Sequence, residues 1–164
     1  MVEMIESYLA GINHELAVFI VSMLPIIELR GAVPFGITLG IDWWLVYILS
    51  VVGNVLPVPF IILFFRPIID YLEKTRLFGK LAQKLKKRTT SKIDGVNKYK
   101  MFGLFLFVAT PLPGTGAWTG AAIAAIMKMR IKHSLPTILL GVMAAGVIMT
   151  AVSCGVGGIL SYFF

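Results

Sequence analysis

The sequence predicts an all-α integral membrane protein in which two re-entrant helical hairpins and transmembrane helices form an inverted-topology repeat. Three observations favour this fold: an apolar composition, four separate apolar blocks, and charges gathered between the blocks. Hydrophobic residues make up 58% of the 164 residues and charged residues only 14%, whereas soluble domains are about 45–50% apolar and about 25% charged. The mean hydropathy is +0.89. The chain therefore reads as one membrane domain, with 1–65 as the first repeat, 66–100 as a basic segment and 101–164 as the second repeat.

The apolar blocks cover residues 16–40, 43–65, 101–127 and 135–164. The second and fourth blocks predict transmembrane helices, because 43–65 and 137–164 carry no charge and can cross about 30 Å of hydrocarbon. Arg66 and Pro67 predict the end of the first of these helices, and residues 134–136 predict the start of the second.

The first and third blocks are interrupted by proline and glycine, which suit turns better than a continuous helix. Each could be a broken spanning helix or a re-entrant hairpin, since irregular backbone at membrane depth must be buried in protein or line a cavity. Weak internal similarity links the two blocks: Pro25 matches Pro111, and Gly31 matches Gly116 with a shift of one residue.

Charge placement favours hairpins. Most of the 15 Lys and Arg residues lie in 66–100, and others lie in 128–133, so the positive-inside rule places both segments in the cytoplasm of a plasma-membrane protein. Residues 1–15 and the connection at Asp42 contain no Lys or Arg and belong outside. Both interrupted blocks must then return to their own side, and they enter from opposite faces.

The composition also excludes several classes of protein. The net charge of +7 flanks membrane segments, so we expect membrane lipids and no nucleic acid as partners. Cys154 is the only cysteine, and His14 and His133 are distant in sequence, so neither a disulfide nor a metal site nor another cofactor is expected. Apolar residues at helical spacing predict amphipathic surface helices over 5–16 and 77–85.

Glu28 and Arg30 are the only charged residues between positions 16 and 41. A charge at bilayer depth costs about 2.5–3.5 kcal/mol on insertion scales, and such residues usually serve transport or proton relay. The alternative is that Glu28 and Arg30 form a buried ion pair whose charges only neutralise each other. Residues two apart on a regular helix do not face each other, so direct contact between these two requires a non-helical turn.

Hairpins from opposite faces would meet near the bilayer midplane, where inverted-repeat transporters build their substrate sites. Arg30 offers a donor fork for phosphate or carboxylate, while Glu28 holds Arg30 or exchanges a proton during transport. The amides of Gly114 and Gly116, just before a helix, form a concavity that accepts anions. The predicted substrate-binding residues are Glu28, Arg30, Thr110, Pro111, Pro113, Gly114, Thr115, Gly116 and Trp118.

Three weaker signals have two interpretations each. Pro57 and Pro59, one turn after Asn54, predict a kink that either opens carbonyls toward a cavity or serves packing alone. Trp118 either stacks on a substrate or fills the bundle. Small residues four apart, such as Gly141 and Ala145, allow close helix contact in a homodimer or within the chain.

The leading functional hypothesis is a membrane transporter or flippase, proton-linked through Glu28, for an amphiphilic anion such as a polyprenyl-phosphate lipid carrier. One alternative is export of small hydrophobic cationic drugs, with Glu28 binding substrate and proton in turn. Another is a non-transporting membrane scaffold whose basic segment binds anionic lipid. The sequence has no GxSxG, P-loop or HExxH motif, so an enzyme is not expected.

The motifs PIIELRGAVP at 25–34 and PLPGTGAWTG at 111–120 resemble those of the small multi-drug export protein family, and length and block order also agree. That family is similar to the DedA (VTT-type) membrane proteins. The resemblance implies two re-entrant hairpins, inverted symmetry and a role in moving polyprenyl-phosphate carriers or scrambling lipids. DedA-type hairpins carry acidic and Arg residues. The first hairpin here has both, as Glu28 and Arg30, whereas the second has Gly and Thr in place of Arg.

Overall fold

The computed structural model describes residues 13–74, 93–112 and 114–163, and the regular structure within these ranges is helical. The prediction of an all-α fold is confirmed. The amphipathic helices predicted at 5–16 and 77–85 lie wholly or mainly outside the described residues. In chain order the helices are α1 (His14–Met23), α2 (Glu28–Thr38), α3 (Trp43–Val55), α4 (Val58–Lys74), α5 (Ile93–Ala109), α6 (Ala117–Ile126) and α7 (Ile131–Phe163).

Both interrupted blocks break where the prolines predict. A short turn at 24–27 separates α1 from α2, and the segment 110–116 separates α5 from α6. Helix α2 nevertheless continues through Gly31 and Pro34, where the sequence predicts irregular chain. Its buried residues recur at helical spacing along one face, so packing of that face outweighs the local preference of these two residues.

Among the described residues, two stretches of helix are long and apolar enough to cross a membrane: Trp43–Ile68, with mean hydropathy 2.3, and Ile131–Gly155, with mean hydropathy 2.1. The two predicted transmembrane segments are thus helical, and the first starts at Trp43 as expected, but the expected end of the first and the expected start of the second were wrong. Helix α4 continues past Arg66 and Pro67 to Lys74. Helix α7 starts at Ile131, ahead of residues 134–136, because the Arg130 carbonyl already accepts the Ser134 amide at 3.0 Å.

The predicted proline kink is present between α3 and α4. The Leu56 amide donates to the Val52 carbonyl at 3.0 Å, and the next amide bonded in this way is that of Ile61, which donates to the Pro57 carbonyl. Pro57 and Pro59 lack amide hydrogens, so the helical ladder is interrupted between the two helices. Asn54 lies buried one turn before this break.

Helix α2 packs against helices of both halves of the chain. It contacts α1, α3 and α7, while α6 packs mainly on α4, and α5 packs along α7. The core is built of small aliphatic side chains, including Leu29 and Val33 of α2, Val46 of α3 and Val142 of α7. The first residues of α2 are therefore buried between helices from both halves of the chain.

Helices α2 and α6 end in the same way. After α2, the Gly40 amide donates to the Ile37 carbonyl at 3.0 Å, and the Ile41 amide donates to the Gly36 carbonyl at 3.3 Å. Gly40 has a φ of +77°. This is a Schellman motif, in which a left-handed residue closes the helix.

After α6, the Lys128 amide donates to the Ala125 carbonyl and the Met129 amide to the Ala124 carbonyl, both at 2.9 Å. Lys128 has a φ of +52°, so it is the left-handed residue that closes α6, as Gly40 closes α2. The matching bonds align Gly40 with Lys128 and Gly36 with Ala124. This register differs from the pairing of Gly31 with Gly116 that the sequence similarity indicated.

Close helix contacts in the two halves also correspond. A Cβ added at Gly53 of α3 would lie 2.6 Å from the Phe19 carbonyl oxygen of α1, and one at Gly141 of α7 would lie 3.2 Å from the Phe105 carbonyl oxygen of α5. Helices α3 and α7 therefore each use a glycine to approach another helix of the same half, α1 and α5 respectively. Gly141 serves a contact within the chain, which is one of its two predicted uses.

Candidate functional site

Arg30 joins the two interrupted segments. Its Nη2 donates to the main-chain oxygen of Thr110 at 2.9 Å and to Oγ1 of Thr115 at 2.8 Å. Its Nη1 lies 3.7 Å from Oε2 of Glu28, and the Arg30 side chain is only 16% exposed. The two segments predicted to meet are thus in contact, and one guanidinium spans both.

Glu28 has a left-handed backbone, with a φ of +52°, which is uncommon for a residue with a side chain. It is the first residue of α2, and its amide donates to the Leu24 carbonyl at 2.9 Å. Because of this conformation its side chain leaves the helix in a direction that a regular helical residue does not take. The non-helical turn required for contact with Arg30 is therefore supplied by Glu28 itself.

The Glu28 carboxylate lies at the start of α6. Its Oε1 accepts the Trp118 amide hydrogen at 3.3 Å, in the first turn of a helix whose N-terminal end carries positive partial charge. A Cβ at Gly116 would overlap this carboxylate, so the absence of a side chain there makes room for it. A carboxylate thus occupies the predicted anion-accepting position, and the donating amide is that of Trp118 rather than of Gly114 or Gly116.

Thr115 shapes the loop between α5 and α6. Its Oγ1 accepts from Arg30 and lies 2.7 Å from the Thr110 carbonyl oxygen and 2.8 Å from that of Leu112, to either of which its hydrogen can be donated. The positive φ of Gly114, +84°, suits a residue without a Cβ. The loop therefore presents the Thr110 carbonyl and the Thr115 hydroxyl together to the guanidinium.

Trp118 links α6 to the end of α1. Its indole Nε1 donates to the Met23 carbonyl at 3.0 Å, which satisfies one of the carbonyls that a helix C-terminus leaves without a helical partner. The half-buried indole also packs against the hydrophobic core. The indole therefore takes part in packing, and its stacking on a substrate stays a prediction.

The remaining predicted residues belong to the same loop but contribute less. The Thr110 hydroxyl donates to the Leu106 carbonyl of its own chain segment at 2.7 Å, so Thr110 meets Arg30 through its main chain alone. Pro111 is half-buried and Gly114 is exposed. Pro113 lies outside the described residues.

A small cavity lies against the charged pair. It has about 10 Å³ open to the centre of a water molecule, which is room for about one water. Asn54, 3% exposed, belongs to its wall. Its lining also includes Glu28, Arg30, Gly116, Val108, Val142 and Ala145.

Asn54 is the residue of this site that the sequence analysis did not assign. Among the described residues, its Oδ1 and the Nε of Arg30 are buried atoms without a hydrogen-bond partner. A signal was available, because Asn54 is a strongly polar side chain in the uncharged block 43–65. The neighbouring prolines obscured it, since they already predict a kink at that position.

Within the described ranges, no group of three or more His, Cys, Asp or Glu side chains is placed to hold a metal ion. Cys154 is an exposed free thiol on α7. The polar chemistry described above is therefore that of a carboxylate, a guanidinium, an amide side chain and main-chain groups.

Comparison with known proteins gives one match. A family model described as "Putative small multi-drug export protein" matches residues 28–148, which include Glu28, Arg30, Asn54 and the loop 110–116. No curated protein and no solved structure matches the chain.

Proposed function

The chain belongs to the small multi-drug export family, and from this membership we propose that it is a membrane transporter for an amphiphilic anion. A polyprenyl-phosphate lipid is the leading substrate class. Glu28 and Arg30, with the start of α6, form the proposed substrate site. The proposal extends the export function of the family's description to a particular chemistry, which the geometry of this site favours.

The observation that carries the proposal is the position of the Glu28 carboxylate. It is held by the Trp118 amide at the start of a helix and by the Arg30 guanidinium. Helix N-termini and guanidinium groups are the two elements that proteins use most readily to bind phosphate and carboxylate. A site that already accepts one anion from the chain suits an anionic substrate that competes with it.

Competition of this kind couples transport to protons. A protonated Glu28 would lose the charge that strengthens the hydrogen bond it accepts from Trp118 and that forms the ion pair with Arg30. The substrate anion would then take its place beside Arg30, and loss of the proton would restore a carboxylate that displaces the substrate. In this scheme one proton and one anionic head group move together.

The surroundings of the site suit a substrate with a hydrocarbon tail. Leu24 and Ile26 in the turn between α1 and α2 are exposed, Ile26 by 94%, and so is Leu112 in the loop between α5 and α6. A tail can lie along these side chains in lipid while the head group reaches Arg30. The site then needs polar groups only for the head group.

The lengths of the short helices support re-entrant hairpins as the frame of this site. Helices α1 and α2 have 10 and 11 residues and α6 has 10, which at 1.5 Å per residue is about 15–17 Å. The hydrocarbon core is about 30 Å thick, so each is about half the length needed to cross. The matching Schellman motifs after α2 and α6 favour an inverted repeat.

The test is translocation of a polyprenyl phosphate in proteoliposomes under an imposed pH gradient. We expect the wild type to move the lipid and Arg30→Gln to lose at least about tenfold in rate, as removal of a hydrogen-bonded charge predicts. Arg66→Gln is the matched control. Arg66 is also a half-buried guanidinium that donates to a main-chain oxygen, that of Met129, but it lies outside the site.

No movement by the folded wild type would remove the lipid phosphate as substrate. Equal rates for the wild type and Arg30→Gln would place the anion elsewhere in the protein. Equal losses in Arg30→Gln and Arg66→Gln would point to general damage to the fold and would not support a role for the site.

Export of hydrophobic cations is the second candidate, because the family is described by multi-drug export and Glu28 is a buried carboxylate. Here Arg30 would hinder the substrate. Uptake of tetraphenylphosphonium into proteoliposomes distinguishes the two. Cation export predicts loss in Glu28→Gln and unchanged or faster uptake in Arg30→Gln, whereas anion transport predicts no uptake by the wild type.

A further inference from the structure

We infer that the cavity beside the charged pair binds one water molecule, and that this water links Asn54 to Arg30 and Glu28. Asn54 thereby acts as a positioning residue for the guanidinium. Three observations support this: the unpartnered buried atoms, the size of the cavity, and the placement of Asn54 on a third helix.

One water molecule could form hydrogen bonds with both unpartnered atoms. The Nε–H of Arg30 is a donor and Oδ1 of Asn54 is an acceptor, and among the described residues neither has a hydrogen-bond partner. Both residues line the same cavity with Glu28. A water accepts from Nε and donates to Oδ1, which leaves one hydrogen for a carboxylate oxygen of Glu28.

The size and charge of the cavity select water over other small ligands. A volume of about 10 Å³ open to the centre of a water molecule holds about one water and excludes a phosphate group. A metal cation would lie against the Arg30 guanidinium. The remaining lining, from Val108, Val142 and Ala145, offers no polar side chain to a larger ligand.

The water would complete the fixation of Arg30. Nη1 faces Glu28 and Nη2 faces the loop between α5 and α6, so Nε is the third nitrogen of the planar group and, among the described residues, the one that is buried without a partner. Holding Nε sets the rotation of the guanidinium plane and hence the direction of both other donors. Asn54 on α3 would in this way align the Nη1 and Nη2 donors of Arg30, which face Glu28 of α2 and the loop between α5 and α6.

Infrared difference spectroscopy of the reconstituted full-length protein tests this inference, with ordinary water exchanged for ¹⁸O-labelled water. We expect a sharp O–H stretching band that shifts with the label and is lost in Asn54→Leu. Ser50→Ala is the control. Ser50 is buried on the same helix with an unpartnered hydroxyl, but it does not line the cavity, so its replacement should leave the band in place.

Ala145→Val provides an independent route to the same result. It fills the cavity while it leaves Asn54, Arg30 and Glu28 unchanged, and we expect it to remove the band by excluding the water. The inference is overturned if the folded wild type has no such band, if both cavity variants keep it, or if Ser50→Ala removes it as well.

The effect on substrate binding rests on the proposed function, whereas the water itself does not. If Arg30 binds the substrate anion, Asn54→Leu should weaken polyprenyl-phosphate binding by about tenfold, the size expected for losing one hydrogen bond to a charged group. Loss of the band without any lipid binding by the wild type would keep the water and discard the proposed substrate. An unchanged affinity in Asn54→Leu would discard the positioning role.

Discussion

Glu28 combines three features that depend on one another: a left-handed backbone, a contact with Arg30 and a carboxylate at the start of α6. The sequence predicted the importance of the pair, because two charges in an otherwise apolar block are costly unless they pair or serve a site. It did not predict that the carboxylate would itself occupy the anion-accepting helix terminus. That outcome depends on the φ of one residue and on a glycine far along the chain, neither of which a local pattern encodes.

The fit between Glu28 and Gly116 leads to a stability prediction. Gly116→Ala places a methyl group where the carboxylate lies, so we expect a loss of about 1–3 kcal/mol, the usual range for overpacking. Thermal unfolding of the purified protein in detergent measures it. Gly103→Ala should be neutral or slightly stabilising, because a Cβ there meets nothing within 4 Å.

A double variant identifies the cause. Glu28→Ala also removes the partner of Arg30 and Trp118, so the variant carrying both changes should lose clearly less stability than the sum of the two single losses if the clash is with the carboxylate. If the two losses simply add, Gly116 is needed for another reason, such as the backbone of the loop.

At the scale of helices, sequence patterns located the breaks better than the ends. Prolines marked the turn at 24–27, the loop at 110–116 and the kink at Pro57, because a missing amide hydrogen acts locally. The ends of α4 and α7 depend on tertiary contacts. Arg66 bonds to the turn that follows α6, and this contact accompanies the continuation of α4 beyond the Arg-Pro pair that was expected to end it.

Close approach of helices gives an element-scale prediction. We expect Gly53→Ala to lose about 1–3 kcal/mol, because its Cβ would meet the Phe19 main-chain oxygen and the Ser22 hydroxyl. Gly141→Ala should lose less, since the main-chain oxygen nearest to its new Cβ, that of Phe105, lies 3.2 Å away, whereas that of Phe19 lies 2.6 Å from the Cβ at Gly53. Thermal unfolding again provides the measurement, and an equal or reversed order would contradict this account of the two contacts.

At the scale of the whole molecule, the proposed hairpins make a prediction about sidedness. In a Cys154→Ser background, single cysteines at Asn13 and Asp42 should react with an impermeant maleimide from the outside of intact cells. Cysteines at Tyr99 and Lys132 should react only after the membrane is opened, because the basic segments adjoin them. Asn13 and Asp42 labelled from opposite sides would instead mean that α1 and α2 together cross the membrane.

The bonds of Arg30 also constrain how the protein is made. Its partners Thr110 and Thr115 lie 80 and 85 residues further along the chain, so at about 5–20 residues per second the ribosome needs about 4–17 s to produce them. During that interval Arg30 has Glu28 as its nearby charged partner but lacks the loop. We therefore expect the nascent first half to wait at the insertion machinery until the second half arrives.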